Sequence, residues 1–476
     1  MVSRTRRKRV PLPLVGQSSE SRSSSVDLQL TKNMYAESNK LGGKSETSFY
    51  CMPALVVATA AGNGPCRGNG VVYKDKGYIV SGNGFYEIDS SMSATIKGTI
   101  GSVSGPVYMA AGASYLMLVD GDKGYTWDGT TFGPITDPDF PANPSSCTWV
   151  DNYHIVSEGG TGRFQISDLD DPTSWDATMV ATAESRPDNI QRVTRFRNGD
   201  LTIIGESSIE VYNNTGNVDF PFEPYPNTNI SFGTPAPASV VETQAGIFML
   251  VEYPNGGYGV AKVYSETPEI ISTAALEWQI QNLSRKSDAE AFAYTQFGHL
   301  FYQIAFPASG RTFCYDDKTG LWQERTTGGD RHRAQGHLYY NDTHLVGDYE
   351  SGNIYSLSMT DYTDNGEYIE RLRRTATLAG QGQYLFVSRL EVECETGVGL
   401  VTGQGSDPKI MFRWSVDGGR EWSNWRKASL GKTGEYGTIA VWNNLGRGRQ
   451  FVFDIKVTDP VNVVMIRAFA DIQVGV

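Results

Sequence analysis

The feature that most constrains this 476-residue sequence is a unit that recurs along its middle: a run rich in Tyr, Val, Ile or Leu, a turn carrying Asp, Asn or Gly, then a second such run. It is plain in Val71 to Val80, Tyr115 to Trp127, Phe313 to Trp322 and Leu345 to Tyr355. Two such runs joined by a tight polar turn read as a β-hairpin. With first strands marked at Val71, Val107, Cys147, Ile190, Val240, Ala291 and Ala334, the intervals are 36, 40, 43, 50, 51 and 43 residues. Those lengths suit four-stranded propeller blades. The last unit is short and can be completed across a closure seam, so six or seven blades are expected. Each blade has two apolar faces, and stacking in a closed ring removes both from water. A pair of β-sandwiches is the alternative, and it accounts less well for seven similar units.

Composition agrees, since 52 Gly and 21 Pro supply turns while 39% hydrophobic residues suffice for a large core. The length allows two to four domains of ordinary size. Residues 1–44 are Ser-rich and basic at their start, and predict an extended N-terminal arm; residues 45–360 carry the β-propeller. From 361 to 476 the turn theme gives way to clearer alternation, as in Leu385 to Cys394, Ile410 to Val416 and Phe451 to Val457, which predicts an antiparallel β-sandwich. The expected fold class is therefore all-β throughout. Within the arm, the cluster Arg4, Arg6, Arg7, Lys8 and Arg9, with Met34 and Tyr35, is the candidate for docking on a partner; a solvated tail is the plainer reading.

Several function classes are disfavoured. The longest apolar run, Ala54 to Ala61, is eight residues, far short of the roughly 18 that suggest a membrane span. The N-terminal basic cluster leads into a broken Pro-containing segment and not a signal-peptide core. The five cysteines at 51, 66, 147, 314 and 394 show no paired spacing, and reduced structural thiols are expected. A balance of 41 Lys plus Arg against 53 Asp plus Glu, net −12, argues against a protein that coats nucleic acid.

Catalytic signals are equally sparse. His154, His299, His332, His337 and His344 lie outside any zinc-binding motif and read as exposed loop histidines. Gly43-Lys44-Ser45 and Gly431-Lys432-Thr433 lack the leading glycine of a phosphate loop, having Ser38 and Arg426 in its place. Neither a nucleophile elbow nor a dinucleotide fingerprint occurs. Asp168, Asp170 and Asp171 crowd one turn, where capping is the likelier role than cation binding. Ser415-Val-Asp417-Gly-Gly419-Arg-Glu-Trp422 fits the Asp-box of sialidase propellers, a structural turn. No cofactor and no metal is expected.

The most specific stretch runs from Gln165-Ile-Ser-Asp-Leu-Asp through Glu184-Ser-Arg-Pro187-Asp188 and Gly199-Asp-Leu201 to Ser208-Ile-Glu210-Val-Tyr212. It resembles the packaged-DNA stabilisation protein family, the tail hub or nozzle of short-tailed bacteriophages of the Salmonella type. The resemblance implies a non-enzymatic virion protein of the tail, made in the host cytoplasm. It implies a homo-oligomeric ring of six below the portal and the head-to-tail adaptor, retaining packaged DNA and forming part of the ejection conduit. Implied partners are that adaptor, a tail needle or plug, a tailspike or fibre, and passing DNA without sequence-specific binding. Glu184, Pro187 and Asp188 are expected to build a blade connection. The competing function is a glycan-binding or glycan-cleaving propeller protein of a phage tail, with Trp127, Trp175, Trp322 and Trp425 as exposed platforms for sugar rings. A propeller adaptor unrelated to phage is the third.

Overall fold

The computed structural model describes residues 8–39, 43–183, 186–196, 199–226, 230–265 and 267–475. The middle of the chain forms seven four-stranded antiparallel sheets. Blade one runs Val71–Tyr73, Lys76–Ser81, Gly84–Ile88 and Ala94–Thr99; blade two runs Tyr108–Ala111, Leu116–Val119, Gly124–Trp127 and Phe132–Pro134. Blades three to six begin at the strands Pro144–Val150, Ile190–Phe196, Val241–Thr243 and Glu290–Gln296. Innermost strands touch around the full circle, including Ala334–Tyr340 of blade seven against both Glu290–Gln296 and Val71–Tyr73. The structure thus fixes the blade number at seven and replaces the alternative of two sandwiches.

Closure explains why the last repeat looked short. Blade seven has three strands of its own, Ala334–Tyr340, Thr343–Asp348 and Asn353–Ser358, and its fourth is Ala54–Ala60 from the other end of the ring. The apolar run that is too short to span a membrane is the closing strand. Leu55, fully buried, packs with Val346, Tyr355 and Phe292. Blades pack face to face through apolar residues drawn from neighbouring sheets, such as Phe85, Leu116 and Trp127 between blades one and two. Burial of this kind is the main driving force, about 25 cal/mol per Å² of apolar surface.

The N-terminal segment departs from the expectation of an extended arm. Lys8–Leu12 pairs with Met465–Gly475, and Met34–Ser38 with Thr47–Cys51 in the same sheet as Tyr384–Cys394 and Ala440–Gly448. Leu28–Lys32 enters the opposite sheet beside Arg371–Arg374, which continues to Gln450–Val457, Lys409–Ser415 and Arg426–Ser429. Both ends of the polypeptide therefore build one sandwich, whose core joins Leu12, Leu14, Met34 and Phe49 to Leu390, Phe412, Phe453 and Ile455. Residues before the propeller are held because their apolar positions fill a core left incomplete by residues 361–476 alone. Leu28–Lys32 also meets Leu321–Glu324 of blade six in parallel register at Lys32 and Glu324. One hydrogen-bonded sheet consequently runs from the propeller into the sandwich.

Candidate functional site

The candidate docking residues distribute differently from expectation. Arg4, Arg6 and Arg7 lie outside the described residues. Lys8 and Arg9 sit on the edge strand Lys8–Leu12, where Arg9 Nη2 bonds Glu391 Oε1 at 2.6 Å and its guanidinium lies 4.4 Å from the Phe469 ring centroid. Met34 is completely buried, and Tyr35, 7% exposed, packs edge-on against His299 and Phe301. Met34 and Tyr35 do dock, but the surface they dock on belongs to this chain. Met34 and Tyr35 are unavailable to a partner.

What secures that segment is a side chain no motif marks. Arg373 is fully buried and donates to the carbonyls of Leu14 (2.7 Å), Gly16 (3.1 Å) and Gln17 (3.2 Å), to Thr31 Oγ1 (3.0 Å) and to Gln29 Oε1 (2.5 Å). Burial pulls its pKa down to about 9, against the pull of Asp27. A second fastening joins the segment to blade six: His299 lies between Asp316 (2.8 Å) and Glu37 (2.7 Å), and Lys318 reaches Glu37 at 2.9 Å. Burial tends to raise the Glu37 carboxyl, but the Lys318 and His299 contacts win and hold it below its ordinary value.

Blade connections use carboxylates as turn organisers. Asp188 accepts from the Ser207 amide at 2.7 Å, the Ser207 hydroxyl at 2.9 Å and the Ser208 hydroxyl at 3.1 Å, tying the start of blade four to its second turn; Glu184 is outside the described residues. Asp168 accepts from the Ser174 hydroxyl at 2.6 Å and Asp171 from the Thr173 amide at 2.9 Å, while Asp170 reaches across to Ser114 of blade two. The Asp-box forms as its pattern predicts: Asp417 Oδ1 accepts from the amides of Arg420 and Glu421, both at 3.1 Å, and Trp422 Nε1 donates to the Gly419 carbonyl at 3.0 Å.

Two expectations about surface chemistry are corrected. Trp127, Trp175 and Trp322 are 3%, 5% and 1% exposed, because each fills the gap between neighbouring sheets; Trp425 is half-buried under Arg413 and Lys456. None of the first three can stack on a sugar. The histidines are core or half-buried residues and not exposed loop groups. Burial pushes His154 down to about 4 and His337, beside His344, to about 3. Among the described residues no three His, Cys, Asp or Glu side chains converge as a metal site, and all five cysteines are free thiols.

One cavity stands out. A cavity of about 300 Å³ is lined by residues at the head of innermost strands, including Val71, Tyr108, Arg192, Glu290 and Gln335, so it opens at the propeller axis. Gly68 (φ +92°) and Gly336 (φ +69°) let loops cross there: a Cβ on Gly68 would stand 2.2 Å from the Val107 carbonyl oxygen. Arg67 knits the rim by donating to Gly82, Ser102, Ser104 and Gly105 carbonyls. Among the described residues Glu290 is the one carboxylate in the lining; burial raises its pKa while Arg331 opposes the rise. Glycoside hydrolysis needs two carboxyl groups flanking the scissile bond, so this lining does not supply that chemistry. Sequence reading missed the cavity because its residues come from six separate blades.

Comparison with known proteins sets these features in context. The family model described as bacteriophage P22 Gp10, beta-propeller, matches residues 8–362, and the one described as bacteriophage P22 Gp10, beta-sandwich, matches residues 370–473. No curated protein matches the chain. Similar solved structures include the Neurospora crassa Pan2 WD40 domain, 7% identical over 64% of this chain and 95% of that one with a TM-score of 0.42. The N-terminal domain of Nup159 is 9% identical over 69% and 98%, with a TM-score of 0.41. The two family matches cover the propeller and the sandwich in the order the fold presents them, and the chain belongs to the bacteriophage P22 Gp10 family of phage structural, DNA-stabilisation proteins.

Proposed function

We propose that six copies of this chain assemble as a ring below the portal and adaptor of a short-tailed phage, retain the packaged genome and form part of its ejection conduit. The observation that carries this reading is the continuous sheet from blade six through Leu28–Lys32 and Arg371–Arg374 into the sandwich. It makes propeller and sandwich a stiff wall element with no hinge of single-chain linker between them. The axial cavity of about 300 Å³ cannot thread a duplex whose major groove alone is about 12 Å wide. DNA therefore passes between subunits, along the axis of the ring.

Charge supports the same reading. Duplex DNA carries one negative charge per roughly 1.7 Å, so a basic lumen would hold it by counterion release. A chain of net −12, repeated around a ring, has little such attraction to offer. Retention then comes from a plug or constriction, with the adaptor, a tail needle and tailspikes or fibres as neighbours. Mass measurement of the purified chain mixed with its adaptor tests this: a defined ring complex supports it, and a persistent monomer beside the adaptor contradicts it.

A further inference from the structure

We propose that the axial cavity is a binding site for a small oxyanion, a phosphate or carboxylate group held between Arg192 and Arg331. The inference goes beyond the conduit role and does not depend on ring formation.

The geometry is unusual for arginines in a packed interior. Both arginines line the cavity, Arg192 from blade four and Arg331 from the approach to blade seven. Arg192 Nε and Nη1 and Arg331 Nε are buried and meet no protein acceptor. Among the described residues the Arg331 side chain makes one hydrogen bond, from Nη2 to Gln335 Oε1 at 3.2 Å. Neither arginine forms an ion pair within 4.0 Å of a carboxylate among the described residues, whereas Arg333, two positions on, pairs with both Asp348 and Glu350.

Each guanidinium also lies over an aromatic ring. Arg192 lies 3.7 Å from the Tyr108 centroid and Arg331 4.2 Å from that of Tyr349. The ring contact satisfies none of the N–H donors, so Arg192 Nε and Nη1 and Arg331 Nε remain for an acceptor such as an oxyanion. Buried donors without acceptors are costly and so are buried cations without a counter-charge. One bound oxyanion relieves both. Burial depresses the pKa of each arginine, and the longer-range pull of Glu242 on Arg192 and of Glu290 on Arg331 does not reverse it. Glu290 does not fill the role by contact: among the described residues it forms no ion pair within 4.0 Å of either arginine, and it acts on Arg331 only at longer range. The volume, about 300 Å³, is at the lower end of small-ligand pockets, which are commonly about 300–1,000 Å³. It admits a phosphate ester or a dicarboxylate and excludes a polymer.

The test is calorimetric titration of the full chain with inorganic phosphate and, separately, with succinate, at constant ionic strength set by chloride. Saturable one-site binding of either anion is expected, and the preferred one identifies the source chemistry. Arg192→Gln and Arg331→Gln should each weaken binding by roughly tenfold or more, since each removes a charge-assisted contact. Arg163→Gln, an exposed position on blade three, should leave it unchanged. Thermal melting guards against misfolded variants: without anion, Arg192→Gln should melt no lower than the parent chain, and only the parent should gain stability as phosphate is added. Absence of saturable binding by both anions in the parent chain, or affinity that survives both substitutions in folded protein, overturns the proposal.

Discussion

Replacing Arg373 with methionine removes its side-chain donors to residues 14–31 and leaves the main-chain pairing of Leu30 and Thr31 with Arg371–Arg374, and the Arg374–Glu20 contact, in place. The side chain is fully buried and makes five hydrogen bonds, three of them to main-chain carbonyls. Gly16 O keeps a donor in Thr31 Oγ1, so the carbonyls of Leu14 and Gln17 are the ones that lose theirs. Two stranded acceptors at ~1–3 kcal/mol each suggest a loss of ~2–6 kcal/mol. Removing a buried cation that has no carboxylate in contact offsets part of this, leaving about 3 kcal/mol of destabilisation. Arg373→Lys should recover little, because one ammonium cannot replace a forked guanidinium reaching five acceptors. Equilibrium urea unfolding followed by tryptophan fluorescence measures the loss, and limited proteolysis should cut the variant first between residues 12 and 31. An unfolding midpoint matching the parent's, with that segment still protease-resistant, would refute the claim that this arginine welds the N-terminal segment into the sandwich.

Other perturbations probe other parts of the account. Leu55→Ala, in the strand that closes blade seven, should cost ~2–5 kcal/mol by opening a cavity in a fully buried site, read as a lowered thermal midpoint. Asp188→Ala should cost ~1–3 kcal/mol by stranding the Ser207 amide and two hydroxyls, checked by denaturant titration. Acid should weaken the fold through His154, whose pKa is lowered from 6.5 to about 4 by burial. In that window the unfolded chain binds a proton that the native chain does not. Stability is therefore full above pH 6.5 and falls by about 3 kcal/mol as pH drops to 4. His154→Phe should flatten that part of the pH–stability curve, and an unchanged slope would count against the assignment.

How much of this fold is legible in the sequence depends on how local the stabilising contacts are. The blades are readable because each is a run of adjacent hairpins, so turn chemistry and alternation sit within about 50 residues of each other. The Asp-box at Ser415 to Trp422 is readable for the same reason, since its bonds are all short in sequence. The N-terminal segment is not. Many of its partners are remote in sequence, Leu14 and Arg373 being 359 residues apart, and five-residue strands such as Leu28–Lys32 carry too little pattern to announce a sheet. The closing strand was visible as the apolar run Ala54 to Ala61, yet only the short last repeat says where it belongs. Trp127, Trp175 and Trp322 mislead because an aromatic beside a polar turn looks exposed in one dimension, while the neighbouring blade covers it in three. The axial arginines are invisible for a related reason: Arg192 and Arg331 stand 139 residues apart and meet only when the ring closes.

Imaging phage particles that carry a labelled copy of this chain is the most direct test of the central claim, that the chain serves as a wall element of the tail. Density with sixfold symmetry directly beneath the adaptor, each subunit showing a propeller joined rigidly to a sandwich and the DNA path lying between subunits, is the predicted result. Label found on tail fibres or absent from the particle, or DNA threading the centre of a single propeller, would contradict it.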